Sequence, residues 1–247
     1  MRLDKYLCDA GFGTRSEVKN LIKKGRVKMA SANELGQDFA SMQPLKDPGW
    51  KVEEGQAIFV DGTPVHFESF SYYMLNKPEG LVTATEDKNQ KTVLDLITGM
   101  KRRDLFPVGR LDKDTEGLLL ITNDGQLAHR LLAPGKHVKK VYLAWVNEVL
   151  TEEEMEHFRQ GLDIGDPELT KKAEIEYLER SSFAEDECYL YEVKIIEGRY
   201  HQIKRMFEAL NKECLHLKRM AMGSLKLDES LAPGDFRLLS EQELDEI

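Results

Sequence analysis

The chain has 247 residues, of which 41% are hydrophobic and 32% are charged, and its formal net charge is −9. This balance excludes a largely disordered chain, because disordered chains contain few apolar residues. No stretch reaches the roughly 18 consecutive apolar residues of a membrane-spanning helix, and the first residues lack the apolar run of a secretory signal. Cys8, Cys188 and Cys214 form no CxxC pair, so we expect reduced thiols in a cytoplasmic protein rather than disulfides or a zinc site.

The charge is unevenly distributed along the chain. Residues 1–29 contain eight Lys/Arg and three Asp/Glu, and residues 199–226 contain seven and two. Acidic residues dominate 148–187, with 14 against four basic residues, and 227–247, with seven against one. Because the local field steers a polyanion towards a surface, the two basic stretches favour a nucleic-acid partner despite the negative total. Ordinary solvated faces are the alternative explanation of the same pattern.

Residues 1–62 are predicted to form a small N-terminal module. The apolar spacing within residues 1–10 predicts a short helix, and Thr14 with Glu17 forms a capping box for a second helix. One face of that second helix is basic and carries Arg15, Lys19 and Lys23. Strands are predicted from residue 27 and at 57–60, with a long polar loop over 30–50 between them. Residues 63–70 are expected to be a linker.

The remaining residues, 71–247, are predicted to form one larger α+β domain. Strands are expected at 72–76, 117–122, 141–146, 173–178, 188–196 and 215–222, and helices at 125–132, 151–160, 201–210 and 240–246. The strands outnumber the helices and do not alternate with them regularly. This order indicates a mixed, mainly antiparallel sheet flanked by helices rather than a doubly wound parallel sheet.

A Gly-rich polar loop over residues 108–117 leads into the apolar run 118–122. A carboxylate held in such a loop beside Arg110, and facing a cleft, can act as a nucleophile or a base. Asp112 is the candidate, and Asp114 is its rival two residues later. A solvated turn rich in Asp is the alternative interpretation from this segment alone. The glycines of the loop match neither GxGxxG nor a P-loop, so nucleotide binding is not indicated.

Cationic side chains cluster at the start of the third predicted helix of this domain. Arg199, Lys204 and Arg205 can contact phosphate there or pair with a buried carboxylate, and a salt-bridged helix surface is the alternative. Tyr142 lies in a predicted strand, where an aromatic side chain at a cleft can stack on a base and a plain core tyrosine is the alternative. The six histidines are dispersed without HxxxH spacing, so no metal site is predicted.

Taken together, these segments resemble the RsuA/RluB branch of the rRNA pseudouridine synthases. The N-terminal stretch RLDKYLCDAGFGTRSEVKNLIKKGRV resembles an S4 RNA-binding domain, which has an α-L-like fold. LNKPEGLVTAT resembles the family's first motif, and GRLDKDTEGLLLITNDG resembles the motif that carries its catalytic aspartate. KKVYLAWV, EGRYHQIKRM and LAPGDFRLLSEQEL are similar to later parts of the family pattern. The stretch KMASANELGQDFASMQPLKDPGW departs from that pattern, because the family's S4 hairpin is usually short and has an Asn-Gly turn.

The resemblance implies roles at the catalytic centre. Asp112 would be the catalytic aspartate and nucleophile, which attacks the ribose or the base or assists formation of a glycal. A buried carboxylate needs a cation to stay ionised, and Lys204 occupies the family position of that cation, with Arg199 as its competitor. Tyr142 would pack on the target base and assist the proton step, and Ile203 would pack against the other side of the base.

The resemblance also implies contacts with RNA. Arg110 would fill the stack that the target uridine vacates. Looser roles in positioning or in binding RNA are implied for four residues of the catalytic domain and four of the S4 domain: Arg199, His201, Gln202 and Arg205, and Arg15, Lys19, Lys23 and Arg26.

The implied function is isomerisation of a uridine to pseudouridine in small-subunit (16S) rRNA, at uridine 516, because HQIKRM resembles the subgroup that acts there. A uridine of large-subunit (23S) rRNA is the alternative substrate, and a non-catalytic S4-type RNA-binding factor is the alternative class. The partner would be the rRNA or an assembly intermediate. We expect a cytoplasmic monomer that uses no cofactor, no metal and no membrane.

Overall fold

The computed structural model describes residues 1–30, 38–53, 55–65, 70–98 and 104–247. These residues fall into two compact units. The first contains the described residues up to Phe70, and the second contains Ser71–Thr98 and Leu105–Ile247. Within the described ranges, every helix is too short or too polar to cross a bilayer.

The first unit packs two helices against a four-stranded antiparallel sheet. Its elements are α1 (Leu3–Asp9), α2 (Arg15–Lys23), β1 (Val27–Ala30), β2 (Gln43–Pro44), β3 (Ala57–Val60) and β4 (Thr63–Pro64), with strand order β2-β1-β3-β4. The predicted capping box begins α2, since the Thr14 hydroxyl accepts from the Glu17 backbone N–H and the Glu17 carboxylate accepts from that of Thr14. The apolar stripes of both helices are fully buried in one core with the sheet: Leu3, Leu7, Val18 and Ile22.

The first unit extends past the predicted end of the module. Asp61 and Gly62 both have positive φ angles, 52° and 84°, and they close a tight hairpin whose second strand is β4. The Val65 N–H donates to the carbonyl of Ile58 at 2.7 Å, and Val65 is buried in the same core. The predicted linker 63–70 is therefore wrong at its start, because residues 63–65 pair with and pack on the sheet.

The predicted polar loop 30–50 also contains regular structure. A 3₁₀ turn covers Phe39–Ser41, and β2 follows it. The Lys28 amine ties the turn to β1 by donating to the carbonyls of Phe39 and Ala40 at 2.8 and 3.0 Å. Residues 31–37 of this predicted loop lie outside the described ranges.

The second unit is built on a nine-stranded sheet among its described residues. Its strands are β5 (Tyr72–Lys77), β6 (Phe106–Pro107), β7 (Thr115–Thr122), β8 (Lys140–Val146), β9 (Glu174–Phe183), β10 (Asp186–Ile195), β11 (Cys214–Met222), β12 (Leu225–Lys226) and β13 (Phe236–Leu238). Its helices are α3 (Gly125–Leu132), α4 (Glu152–Gln160), α5 (Gln202–Glu208) and α6 (Glu241–Asp245), with 3₁₀ turns at Val93–Leu96 and Pro134–Lys136. The central order is β13-β5-β7-β11-β8-β10-β9, with β6 on β7 and β12 on β11.

The pairing confirms the predicted α+β class. Only β7 and β11 are paired in parallel, and the other strand pairs described are antiparallel. All six strands and all four helices predicted for this domain are present. The missed strands β6 and β12 have two residues each, which is too short to show a period-2 pattern, whereas β13 lies in the stretch LAPGDFRLLSEQEL, which resembles the family's C-terminal strand and helix.

The sheet separates two hydrophobic cores. Along β7, Leu119 and Ile121 enter the core that contains α4 and α5, whereas Leu118 and Leu120 enter the core that contains α3. A strand that is buried on both faces reads as a continuous apolar run rather than an alternating one. This burial explains the unbroken Leu-Leu-Leu-Ile segment and makes β7 a rigid base for the loop before it.

Gly117 allows the close approach of the two parallel strands. Its φ is +101°, and a Cβ built there would lie 2.3 Å from the carbonyl oxygen of Arg219 on β11. A side chain at this position would therefore clash with backbone as well as strain the chain. Gly117 is the third residue of β7, at the end of the polar segment 108–117, so this contact fixes where that segment joins the sheet.

Candidate active site

The candidate catalytic residues lie in a cleft of about 380 Å³ in the second unit. The loop before β7 forms one wall, and the start of α5 with β8, β10 and β11 forms the rest. The lining residues are Arg110, Leu111, Asp112, Thr115, Tyr142, Ile195, Arg199, His201, Gln202, Ile203 and Leu217. The structure thus brings together residues that are up to about a hundred positions apart in the chain, from all three predicted motifs.

Asp112 is held at the edge of this cleft, with 28% of its side chain exposed. Its carbonyl accepts a hydrogen bond from the Thr115 N–H at 3.1 Å, which closes a turn at the start of β7. Next to it, the backbone of Leu111 exchanges two hydrogen bonds with the Thr83 hydroxyl, at 2.7 and 3.2 Å. The backbone on both sides of Asp112 is therefore fixed, while its carboxylate stays accessible to a ligand.

His201 is the nearest ionisable partner of Asp112 in the described structure. Its Nε2 lies 3.4 Å from Asp112 Oδ1. His201 precedes α5 with φ 47° and ψ 34°, a left-handed conformation that is uncommon for residues other than glycine. Residues held in this conformation cluster at functional sites, and the imidazole of His201 faces Asp112 here.

Lys77 supports the loop that carries Asp112, and it was not among the site residues predicted from the sequence. The side chain is fully buried at the end of β5, and its amine donates to the carbonyls of Pro78, Lys113 and Thr115 at 3.0, 3.2 and 2.9 Å. Burial lowers the pKa of Lys77 from 10.5 to about 8, against the opposing effect of nearby carboxylates, chiefly Asp114 and Asp112. The feature of the sequence that could have identified Lys77 as buried is its place at the end of the apolar run YYMLNK.

The predicted ion pair between Lys204 and Asp112 is wrong in this structure. The Lys204 amine lies 2.5 Å from Asp114 Oδ1 instead. Burial would raise the pKa of Asp114, but the hydrogen bond and charge of Lys204 outweigh it, so this pKa lies below its usual value. Asp114 is 68% exposed and projects to where the amine can reach it, whereas Asp112 turns towards His201.

Arg199 and Arg205, for which the resemblance implies positioning or RNA-binding roles, hold another loop of the protein. Arg199 donates to the carbonyls of Glu168 and Leu169, both at 2.7 Å, and pairs with Asp166. Arg205 also pairs with Asp166 and donates to the carbonyl of Ile164. Because these guanidinium groups already have protein acceptors, they position the segment after α4.

The resemblance implies a positioning or RNA-binding role for Gln202, and in the structure its side chain lines the cleft and is held by protein groups. It is buried, accepts from the Arg199 N–H at 3.0 Å, and donates to the Glu197 carboxylate at 2.7 Å. Its amide therefore closes the turn that leads into α5.

Tyr142, Ile203 and Arg110 all line this cleft, and their roles there stay predictions. Tyr142 and Ile203 are buried and contribute apolar surface to the cleft, with Ile195 and Leu217 beside them. Arg110 is exposed and lines the same cleft, and it has no hydrogen bond or ion pair with any residue in the described ranges. A cleft that combines these apolar side chains with a carboxylate and a cation lacking a described partner can accept a planar base attached to a phosphate backbone.

The basic face of α2 in the first unit is exposed as predicted. Arg15, Lys19 and Lys23 are all exposed, and none has an ion pair with a residue that the structure describes. Arg26 differs, because its guanidinium makes a bidentate pair with Asp61 at the β3–β4 hairpin. Arg26 is therefore engaged within the protein, and its role in binding RNA stays a prediction.

One cluster of the described residues has the composition of a possible metal site. One group of three potential ligands, Glu79, Glu116 and His216, has donor atoms within 4.8 Å of one another. The two ring nitrogens of His216 already face different carboxylates, at 2.9 and 3.4 Å. A metal ion bound to one ring nitrogen would need both carboxylates on that same side of the ring. We therefore assign no metal to this group.

The Lys204–Asp114 pair gives a direct test. In the Lys204→Met variant we expect the pKa of Asp114 to rise, because burial then acts without the compensating cation. The pKa of each aspartate is read from the pH dependence of side-chain carboxyl ¹³C shifts. Lys113→Met is the matched control, since it removes a cation of the same loop that donates only to Gln90. A rise in the pKa of Asp112 alone would instead support the pair between Lys204 and Asp112 predicted from the sequence.

Comparisons with known proteins agree with these features. A family model described as RNA pseudouridylate synthase matches residues 71–209, and an S4 domain model matches residues 1–29. An uncharacterized RNA pseudouridine synthase, YtzG of Bacillus subtilis, is 44% identical over 246 residues, which are 99% of this chain and 97% of the relative. Ribosomal small subunit pseudouridine synthase A of Vibrio cholerae is 37% identical and covers 99% of this chain and 98% of its own length.

A solved structure has the same architecture throughout. A crystal structure of pseudouridylate synthase superposes with a TM-score of 0.66 at 32% sequence identity, covering 100% of this chain and 99% of that one. The match spans both the S4 region and the larger sheet. The chain therefore belongs to the RNA pseudouridylate synthase family, with an S4 domain at its N-terminus, and it is an enzyme that isomerises uridine in RNA.

Proposed function

We propose that this synthase modifies one uridine of small-subunit (16S) rRNA, uridine 516, in the cytoplasm and as a monomer. Full-length relatives from Vibrio cholerae and Vibrio parahaemolyticus, at 37% and 38% identity, are named ribosomal small subunit pseudouridine synthase A. These names support the choice of 16S rRNA, and the observation that supports the isomerisation is the cleft, which Asp112, Tyr142 and Ile203 line together.

The reaction detaches uracil from C1′ of the ribose, rotates the base, rejoins it through C5, and moves the C5 proton to the freed N1. Nothing is oxidised or reduced in this exchange. The target must leave its stack to enter the cleft, where Tyr142 and Ile203 would hold the ring from both sides. The Asp112 carboxylate would then attack the ribose or the base, or assist glycal formation.

The supporting groups keep this carboxylate in place. Lys77 anchors the carbonyls of Lys113 and Thr115, and His201 contacts the carboxylate from α5. Arg110 would occupy the space that the extracted uridine leaves, because its exposed side chain lines the cleft without a protein partner in the described ranges.

Mapping of pseudouridine in both rRNAs tests the substrate. Cells that lack this protein should lose one pseudouridine of 16S rRNA, and wild-type protein should restore it. Asp112→Asn should fail, with turnover on the isolated RNA lowered by at least about 100-fold, because it keeps the shape and removes the charge of the reacting group. RNA affinity should be retained.

Asp114→Asn is the control, since Asp114 is an exposed carboxylate of the same loop, and it should restore the modification. If the Asp112→Asn variant still converted uridine, the catalytic role would be assigned to Asp114 instead. If the deletion strain lost a pseudouridine of 23S rRNA rather than one of 16S rRNA, the proposed substrate would be wrong.

The basic face of α2 is proposed to bind the RNA backbone. Each phosphate contact adds roughly 0.9 units to the slope of log affinity against log salt for a duplex, and about 0.7 for a single strand. Changing Arg15, Lys19 and Lys23 to Gln together should weaken binding and reduce the slope by about two to three units, as measured by titrations at several salt concentrations. The modified uridine should not change, because backbone contacts carry little sequence information.

A second triple variant provides the charge-matched control. Lys91, Lys136 and Lys172 are exposed lysines of the second unit, and their replacement by Gln should leave the slope unchanged. An unchanged slope in the folded α2 variant would show that this face does not contact RNA.

A further inference from the structure

Tyr200 is the most exposed of the large hydrophobic side chains in the described ranges, with a relative exposure of 71%. It lies two residues before α5, next to the cleft-lining His201. A single exposed aromatic side chain is common on protein surfaces and means little by itself. Its surroundings decide whether it has a role.

The ring of Tyr200 is held in a fixed orientation. It stacks on the imidazole of His201, with ring centroids 3.8 Å apart and planes inclined by 17°. The Tyr200 carbonyl accepts from Arg205 at 3.1 Å, and the Arg199 N–H donates to the Gln202 side chain at 3.0 Å on the other side of the turn. The backbone around Tyr200 is therefore ordered before any ligand binds.

The ring also lies next to the site of chemistry. His201 lines the cleft, and its Nε2 is 3.4 Å from Asp112. One face of Tyr200 covers this imidazole, and its large exposed fraction leaves the other face open to solvent. The unengaged cation Arg110 lines the same cleft, which favours a negatively charged strand here over an apolar protein surface.

We propose that Tyr200 is a stacking platform for a base next to the target uridine. The inference rests on the proposed function, since it requires a uridine to be drawn out of its stack. Extraction opens the stack on both sides of the target. Arg110 would fill the vacated position, and an aromatic ring such as that of Tyr200 accepts on its face a neighbouring base displaced from the stack. Stacking on a preordered ring at the mouth of the cleft stabilises the extracted state and aligns the strand without reading its sequence.

The proposal is tested with substrate RNAs that carry the fluorescent base 2-aminopurine on either side of the target uridine. Wild-type protein and Tyr200→Phe should quench one of the two positions, because both rings stack. Tyr200→Ala should lose the quenching and bind RNA about 5- to 150-fold more weakly. Tyr177→Ala is the control, since Tyr177 is a partly exposed tyrosine of β9 outside the cleft, and it should behave as wild type.

Two results would overturn the platform. One is unchanged affinity and quenching in Tyr200→Ala. The other is a loss of turnover at saturating RNA with unchanged affinity, which would mean that Tyr200 acts only by packing on His201. The proposed function is judged separately in the same samples: a wild-type protein that forms no pseudouridine in this RNA contradicts the substrate, whereas normal wild-type turnover with unchanged binding by Tyr200→Ala contradicts the platform alone.

Discussion

The buried amine of Lys77 and the three carbonyl oxygens around it organise the catalytic half of the molecule. Burying an ammonium group is unfavourable unless its donors are satisfied, and here all three hydrogen bonds go to backbone near or within the loop that carries Asp112. The loop is thereby tied to β5, while Gly117 lets β7 pack closely on β11 behind it. The position of the candidate catalytic carboxylate thus depends on groups that do not touch the substrate.

The cations near the cleft divide into two kinds. Arg199, Arg205 and Lys204 are engaged by protein acceptors, so the basic cluster at the start of α5 mainly fixes the protein's own loops. Arg110 in the second unit and the face of α2 in the first unit present cations without partners in the described ranges. The number of basic residues in a stretch of sequence is therefore only an upper limit to the cations available for RNA. Some of them pair with acidic residues, such as Asp166, that are distant in the chain.

Local sequence signals predicted much of this fold and of its site. Capping residues and apolar periodicity located the six α-helices of the described ranges, and the apolar run 118–122 located the central strand, because these signals are short-range. The resemblance of the motifs predicted that Asp112, Tyr142 and Ile203 act at one catalytic centre, and all three line the same cleft. The partner of Lys204, the engagement of Arg26 by Asp61 and the role of Lys77 were not predicted, since each depends on side-chain directions that tertiary packing sets. The short strand β4 was assigned to a linker because two residues carry no periodicity.

The central claim is that Lys77 positions Asp112 without reacting itself. The most direct test is single-turnover conversion at saturating RNA by Lys77→Met, with Lys113→Met as the control that removes an exposed amine of the same loop. The account predicts a fall of about 100-fold for Lys77→Met, the scale expected when a reacting group is displaced by about 1 Å, with RNA affinity and near-UV circular dichroism unchanged and with wild-type turnover for Lys113→Met. Wild-type turnover by a folded Lys77→Met variant would contradict it.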